Sequence, residues 1–207
     1  MKIFYYNTNQ IEGLYNLRNN FLKSPFIIID NEIQNDISKD WVYENGKLSV
    51  VGFLFDNKIE IYVSETENDK EFKIHLTKRL KDLSINNNLY SFNKYMEMGN
   101  FKGDLNIDIK INEIKPFNAK GWNKDRFFNE LQEQNIIPRF KVYDPFESDA
   151  GLCVTFWEDY LKTKDTDKLK QIVIHNINCL IKESLILKHR SFFTENYEIN
   201  ERNWLVD

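Results

Sequence analysis

Apolar residues run together or alternate with polar ones in patterns that predict strands along the chain. Residues 26–29 are four consecutive large apolar residues, three of them β-branched, which is typical of a strand buried on both faces. Residues 48–55 and 59–63 form two further strand patterns, and Asp56 and Asn57 between them predict a hairpin turn. Shorter strand patterns follow at residues 89–92 and 105–111. The sequence therefore predicts five strands, the first three consecutive and antiparallel.

Apolar residues spaced three or four positions apart predict helices around these strands. A first helix is predicted over residues 9–24, and Pro25 ends it. A helix over residues 69–83 separates the third and fourth strands, so it implies a crossover into a parallel strand. Three later helices are predicted at residues 124–134, 149–162 and 168–187. The predicted fold class is α/β, with a mixed five-stranded sheet flanked by helices.

Composition narrows the class of protein. Of the 207 residues, 42% are hydrophobic and 29% are charged, which argues against disorder and for a globular domain. Because no linker or internal repeat interrupts the chain, we expect a single domain over residues 1–207, with its core at about 26–187 and a docking tail at 188–207. The net charge of −4 argues against binding of intact duplex through a broad basic face.

The cysteine spacing and the hydropathy of the chain indicate in which cellular compartment the protein is expected. Cys153 and Cys179 show neither metal-type nor redox-type spacing. The sequence has no signal-peptide pattern and no apolar run near 18 residues. We therefore expect a cytoplasmic protein without a membrane partner.

Two carboxylates stand where the first apolar strand pattern ends. Asp30 and Glu32 are two positions apart, so in a strand both side chains point to the same face of the sheet. Carboxylates held close together repel one another unless a hard cation bridges them or one stays protonated. The pair is therefore a candidate divalent-cation site. The alternative is that the segment only ends a strand, with Asn31 opening a turn.

The order of elements and motifs resembles that of the DEDD-type 3′-5′ exonucleases of the ribonuclease H-like superfamily, especially the YprB-like predicted nucleases, over residues 26–187. Members of this family begin with a strand that ends in Asp-x-Glu, and Asp30, Asn31 and Glu32 match that motif. The resemblance implies a ribonuclease H-like fold. It also implies Mg²⁺ or Mn²⁺ as the cofactor, held by Asp30, Glu32 and a third carboxylate.

The family's second motif follows the fourth strand, and residues 92–97 resemble it. The resemblance makes Glu97 the candidate for the third metal ligand. Asn93 is a candidate to compensate for a missing ligand. An alternative placement at residues 117–123 puts Asn123 where an acid is needed and Asp125 two positions late. Glu97 is favoured because it directly follows a predicted strand.

The family's last motif lies on the final helix, where His or Tyr precedes an Asp by four positions. His175 matches this motif, and the resemblance implies that it orients the attacking water, but Cys179 stands at the position of the aspartate. A thiol is a poor ligand for hard Mg²⁺ or Mn²⁺. Glu183, one turn further along the same helix face, is the candidate that compensates. The alternatives are an ordinary hydrogen-bonded His175 and a Cys179 that is a small buried apolar residue.

Two functions follow from the resemblance. The first is a metal-dependent 3′-5′ exonuclease that acts on single-stranded DNA or RNA ends with Asp30, Glu32, Glu97 and His175 as catalytic residues. The second is a catalytically decayed ribonuclease H-like module that binds nucleic acid or a protein partner, and Cys179 favours it. A third hypothesis is that the acidic pair is structural and the order of elements coincidental. The sequence shows no phosphate-binding Gly-rich loop, nucleophile elbow or Cys/His zinc spacing that would favour another chemistry.

Overall fold

A six-stranded mixed sheet forms the centre of the fold in the computed structural model, which describes residues 1–11, 21–35, 43–114, 124–139, 143–146, 149 and 151–193. The strands are β1 (Lys2–Asn7), β2 (Phe26–Ile33), β3 (Leu48–Phe55), β4 (Lys58–Val63), β5 (Asn88–Ser91) and β6 (Asn112–Glu113). They lie in the order β1-β4-β3-β2-β5-β6. The pairs β1–β4, β4–β3 and β3–β2 are antiparallel, whereas β2–β5 and β5–β6 are parallel.

Helices cover both faces of this sheet. Within the described ranges the α-helices are α1 (Lys70–Asn86), α2 (Lys94–Leu105), α3 (Lys124–Glu133), α4 (Leu152–Thr163) and α5 (Thr166–Lys188). Side chains of α1 and α2 belong to the hydrophobic cluster on one face, and those of α3, α4 and α5 to the cluster on the other. None of these helices is long and apolar enough to cross a membrane.

Strand β2 is buried on both faces, as residues 26–29 predict. Ile27 and Ile29 belong to the cluster under α1 and α2, while Ile28 belongs to the cluster under α5. Because side chains alternate along a strand, Asp30 and Glu32 continue the Ile28 side and point toward α5. The same alternation that identifies the strand therefore also determines that both carboxylates point toward α5.

The predicted strand count of five is wrong, because the described residues alone form a sheet of six strands. The outer strand β1 was not predicted. The strand predicted at residues 105–111 is also wrong: Leu105 ends α2, and residues 106–111 form no strand. Ile107, Ile109 and Ile111 are nevertheless buried in the cluster under α1 and α2. Apolar and polar residues do alternate here, but the alternation reflects burial of isoleucines in a segment that forms no strand. Pairing with the sheet begins only at β6.

The hairpin turn and four of the helices confirm the predictions from periodicity. Asp56 and Asn57 adopt positive φ angles of 47° and 64°, as a tight hairpin turn requires. Helices α1, α3, α4 and α5 lie within a few residues of their predicted bounds. Helix α2 was not predicted, because Gly99 and Gly103 interrupt its pattern and lower its helix propensity. Gly103 is required there, since a Cβ would overlap the backbone carbonyl oxygen of Glu44.

The two ends of the chain are described only in part. Thr8–Gln10 form a single 3-10 turn, residues 21–25 are not helical, and residues 12–20 of the helix predicted at 9–24 lie outside the described residues. Phe193 is buried and its ring lies 5.0 Å from that of Phe127. Residues 194–207 of the predicted docking tail, and the alternative motif at 117–123, also lie outside the described residues.

Gly52 on β3 allows α5 to lie directly against the sheet. It pairs with Asp30 across the β2–β3 ladder. A Cβ at this position would lie 2.6 Å from Leu180 Cδ1 and 2.8 Å from Ile61 Cδ1, and closer still to Asn176 Oδ1. These distances are shorter than van der Waals contact, so any larger residue would push α5 away from β2 and β3.

We expect Gly52→Ala to lower the free energy of unfolding by about 1–3 kcal/mol, because the added methyl overpacks the contact between β3 and α5. Urea unfolding followed by circular dichroism measures the loss. Gly151→Ala is the matched control, since the nearest heavy atom to its Cβ is Asp149 Oδ1 of an exposed side chain at 3.0 Å. Equal stability of the two variants would contradict the close approach of α5.

Candidate active site

A cleft of about 380 Å³ opens where the carboxyl ends of β2 and β5 meet the first turn of α2 and the middle of α5. Ligands commonly bind beyond the carboxyl ends of strands in sheets of this kind. The predicted site residues all line the cleft, together with Cys179: Asp30, Glu32, Asn93, Glu97, His175 and Glu183. The structure therefore brings together residues from three distant segments of the chain.

Asp30 lies at the centre of the cleft and is almost fully buried. Its Oδ1 accepts a hydrogen bond from Lys124 Nζ at 3.0 Å, and its Oδ2 accepts one from Asn176 Nδ2 at 2.8 Å. The same amide nitrogen lies 3.2 Å from the Asp30 carbonyl oxygen. Asn176 thus fixes both the side chain and the backbone of Asp30 from α5.

Lys124, the first residue of α3, bridges two buried carboxylates. Its Nζ lies 2.7 Å from Glu183 Oε1 as well as 3.0 Å from Asp30 Oδ1. The other Glu183 oxygen accepts the backbone N–H of Phe92 at 3.2 Å. Burial would lower the pKa of Lys124, but Asp30 and the other anionic neighbours raise it well above its usual value. The ammonium group therefore stays charged and supplies the positive charge between Asp30 and Glu183.

Glu97 is buried in the first turn of α2 and faces this cluster. Burial, and then the charge of Asp30, raise its pKa to about 8. Its Oε2 has no hydrogen-bond partner among the residues that the structure describes. Burial likewise raises the pKa of Glu32 to about 7. The cleft thus holds more carboxyl groups than its internal cations neutralise, which is a property of cation-binding sites.

His175 is held in place by an ion-paired carboxylate. Its Nδ1 lies 2.7 Å from Asp144 Oδ1, and Asp144 Oδ2 accepts from Lys182 Nζ at 3.3 Å. Burial would raise the pKa of Asp144, but the hydrogen bond from His175 and the charges around it lower it to about 2. His175 Nε2 faces the cleft, 3.6 Å from Cys179 Sγ and 3.9 Å from Glu32 Oε1.

Sequence reasoning missed several residues that build the site. Asn176 follows His175 directly in the sequence, and nothing in the local pattern indicates that it contacts Asp30. Lys124 and Lys182 follow the ordinary pattern of charged helix residues, and nothing distinguishes them in the sequence from solvated lysines. Asp144 lies in a segment without periodicity, so no local signal could have paired it with a histidine 31 residues away.

Glu97→Gln tests the charge state of the buried glutamate. Because the folded protein binds a proton that the unfolded chain loses above about pH 4.5, the pKa of about 8 makes stability fall as the pH rises through that interval. We expect Glu97→Gln to be more stable than the wild type by about 2–4 kcal/mol at pH 8.5, and by much less at pH 5.

Urea unfolding at both pH values, in the presence of a chelator, measures this difference. Glu71→Gln is the matched control, because Glu71 is an exposed glutamate in the first turn of α1. A Glu97→Gln variant with the same pH dependence of stability as the wild type would contradict a protonated Glu97.

The fold is similar to part of a known DNA polymerase. A family B DNA polymerase from the hyperthermophilic archaeon Pyrobaculum calidifontis matches with a TM-score of 0.55 and 11% sequence identity, over 81% of this chain and 24% of the polymerase. The chain thus spans about a quarter of the polymerase that it matches. No family model and no curated protein matches the sequence. At this identity the likeness concerns the fold, a mixed sheet flanked by helices.

Proposed function

We propose that the cleft is the active site of a divalent-cation-dependent 3′-5′ exonuclease of ribonuclease H-like fold, acting on single-stranded ends. The observation that carries the proposal is the convergence of Asp30, Glu32, Glu97 and His175 on one cleft, although they come from three segments. The resemblance to the exonucleases rests on the order of motifs along the chain, which does not by itself bring these side chains together. The structural similarity to part of a DNA polymerase also supports a function that involves nucleic acid.

The donor set fits a hard cation in one part of the cleft. Asp30, Glu32 and Glu97 offer carboxylate oxygens, which are the ligands that Mg²⁺ and Mn²⁺ prefer, and the unpartnered Oε2 of Glu97 is available to a cation. When bound, such a cation would polarise a phosphodiester and lower the pKa of an attacking water. Cys179 does not fit a hard cation, so the position that the family gives to its last aspartate lacks a suitable ligand.

The protein groups around the carboxylates serve binding and orientation. Asn176 keeps Asp30 in one rotamer, and Asp144 keeps His175 in one orientation with Nε2 toward the cleft, where it orients the attacking water. Lys124 and Lys182 line the same cleft and attract phosphate oxygens. A cleft of about 380 Å³ is in the range of small-molecule pockets, so it admits the end of one strand more readily than an intact duplex.

The test is to incubate the protein with single-stranded DNA and RNA labelled at the 5′ end, with Mg²⁺, Mn²⁺ or a chelator. We expect a ladder of products shortened from the 3′ end, with either cation and not with the chelator. Single-stranded oligonucleotides with a blocked 3′ end should resist. The absence of cleavage on every substrate with both cations would overturn the proposal.

A second candidate function is a non-catalytic module that binds nucleic acid or a protein partner. The position of Lys124 favours it, because its ammonium group already supplies the positive charge that Asp30 and Glu183 require. Cys179 favours it too. If this function is correct, the wild type is inert and Cys179→Asp gains cation-dependent cleavage, measured with the same labelled strands. A Cys179→Asp variant that stays inert would contradict decay through this one position.

A further inference from the structure

Three side chains with different donor atoms meet on one wall of the cleft. Glu32 comes from β2, while His175 and Cys179 come from successive turns of α5. Each residue offers one ligand atom, and the three atoms lie within 4.8 Å of one another. They are a carboxylate oxygen, an imidazole nitrogen and the thiol sulfur. Glu32 is largely buried, and the other two are buried. Residues four apart on a helix share a face, which is how paired helix ligands hold zinc.

Two of the three separations between the ligand atoms are known, and they lie close to those of a tetrahedral metal site. With Zn–S near 2.3 Å and Zn–N near 2.05 Å, tetrahedral angles place the sulfur and the nitrogen about 3.6 Å apart. Cys179 Sγ and His175 Nε2 are 3.6 Å apart. With Zn–O near 2.1 Å, the nitrogen and the oxygen would lie about 3.4 Å apart. His175 Nε2 and Glu32 Oε1 are 3.9 Å apart, about 0.5 Å more than this value, so Glu32 would have to move slightly toward the imidazole to bind the same ion.

The orientation of His175 is a second and independent observation. Its Nδ1 lies 2.7 Å from Asp144 Oδ1, so a neutral imidazole carries its proton on Nδ1 and presents the Nε2 lone pair to Cys179 and Glu32. Histidines that bind metals almost always donate their other ring N–H to a carboxylate or a carbonyl in this way. Asp144 is itself held by the Phe146 N–H at 3.0 Å and by Lys182. The ligand is therefore oriented before any metal arrives.

We propose that Glu32, His175 and Cys179 form a three-ligand site for a borderline-soft transition-metal ion of the Zn²⁺ or Co²⁺ type, with the fourth position open to the cleft. A thiolate and an imidazole select such ions over Mg²⁺, and three protein ligands plus an exchangeable water are the arrangement of catalytic zinc sites. As the metal binds, the Cys179 thiol gives its proton to solvent, and a protonated His175 gives up its Nε2 proton as well. The Glu32 carboxylate and the Cys179 thiolate then balance the two positive charges of the ion on this buried side of the cleft. The site does not require that the cleft cleave nucleic acid, and while it is filled, Glu32 and His175 Nε2 hold this ion and not Mg²⁺ or the attacking water.

Co²⁺ is the probe that reports the ligands directly. We expect wild-type protein to bind one Co²⁺ per chain and to show a sulfur-to-cobalt charge-transfer band together with the intense visible bands of tetrahedral Co²⁺. Stoichiometric Zn²⁺ should displace the Co²⁺, and a hundredfold excess of Mg²⁺ should not. Cys179→Ser should lose the charge-transfer band and bind Co²⁺ at least 10-fold more weakly.

Cys153→Ser is the matched control. Cys153 is the other cysteine of the chain, and it is also buried; its thiol hydrogen-bonds to Glu32, but it is not part of the three-ligand group. Because serine can still donate to Glu32, this variant should keep the charge-transfer band and bind Co²⁺ within a few-fold of the wild type. Asp144→Asn should keep the band but bind Co²⁺ about 10- to 100-fold more weakly, because His175 loses the partner that orients it.

The outcomes separate this site from the proposed nuclease. Wild-type protein without a charge-transfer band, or a band lost in Cys153→Ser and kept in Cys179→Ser, would overturn the metal site, whether or not Mg²⁺ supports cleavage. A band that depends on Cys179, with no cleavage under Mg²⁺, Mn²⁺ or Zn²⁺, would support the metal site and overturn the nuclease. Because the wild-type spectrum is decisive alone, a variant that fails to fold does not remove the test.

Discussion

Asp30→Asn is expected to reduce cation-dependent cleavage at least about 10³-fold, the largest loss among the single substitutions of the cleft. Asp30 is the carboxylate that touches both Lys124 and Asn176, and it stands beside Glu97 and Glu32 at the centre of the cleft. Asparagine keeps the size, but its single amide oxygen can accept from only one of the two partners, and it removes the charge that a cation needs. Initial rates with 5′-labelled single strands and Mn²⁺ measure the loss.

The matched control is Asp159→Asn, an aspartate on the exposed side of α4 whose carboxylate lies 3.9 Å from Lys168. It should cleave at the wild-type rate. Urea unfolding of Asp30→Asn should show a cooperative transition, which separates loss of chemistry from loss of fold. Cleavage by Asp30→Asn within a few-fold of the wild type would mean that the activity does not come from this cleft.

Lys124→Met is expected to destabilise the protein by about 3–5 kcal/mol when divalent cations are chelated. The substitution leaves Asp30 and Glu183 buried without the ammonium group that lies 3.0 and 2.7 Å from them, and removing one partner of a buried ion pair costs about that much. Methionine keeps most of the length and the apolar stem. The free energy of unfolding in urea, with a chelator present, measures the effect.

The same variant should respond more strongly to divalent cations. Because Lys124 competes with a cation for Asp30, its removal should increase the rise in melting temperature that Mn²⁺ produces. Lys102→Met is the matched control: its partner Glu44 lies 2.6 Å away, but both side chains are more than half exposed. It should leave both the stability and the Mn²⁺ response nearly unchanged, because exposed ion pairs contribute little. Equal stability of the two lysine variants would contradict the role given to Lys124.

Much of the scaffold of the cleft could be predicted, because it follows from periodicity. The apolar run at residues 26–29 located β2, and period-two geometry then placed Asp30 and Glu32 on one face. The helical pattern at residues 168–187 placed His175, Cys179 and Glu183 on one face of α5, where the structure has them. These predictions succeeded because each depends on local geometry along a single element.

The remaining parts of the site depend on how distant elements dock, and no local pattern encodes that. In the sequence, Lys124 cannot be distinguished from a solvated lysine at the start of a helix. Its contact with Asp30 arises only from the way α3 packs in the folded protein. Asp144 acquires its role only beside His175. The metal-type spacing was missed for the same reason: two of its ligands are four residues apart, but the third is more than 140 residues away on β2. Helix α2 was missed because its local pattern is weak, whereas β1 does carry a strand signal, in Ile3, Phe4, Tyr5 and Tyr6, that the prediction did not include.

The long separations between Asp30 and its partners also have a consequence for synthesis on the ribosome. Lys124 is 94 residues further along the chain and Asn176 is 146. At about 5–20 residues per second, these partners are made roughly 5–20 s and 7–30 s after Asp30. During that time the apolar run at residues 26–29 has two unpaired carboxylates at its end, and charges that flank such a run oppose aggregation. We therefore expect Asp30 and Glu32 to protect the nascent strand before they serve the finished cleft.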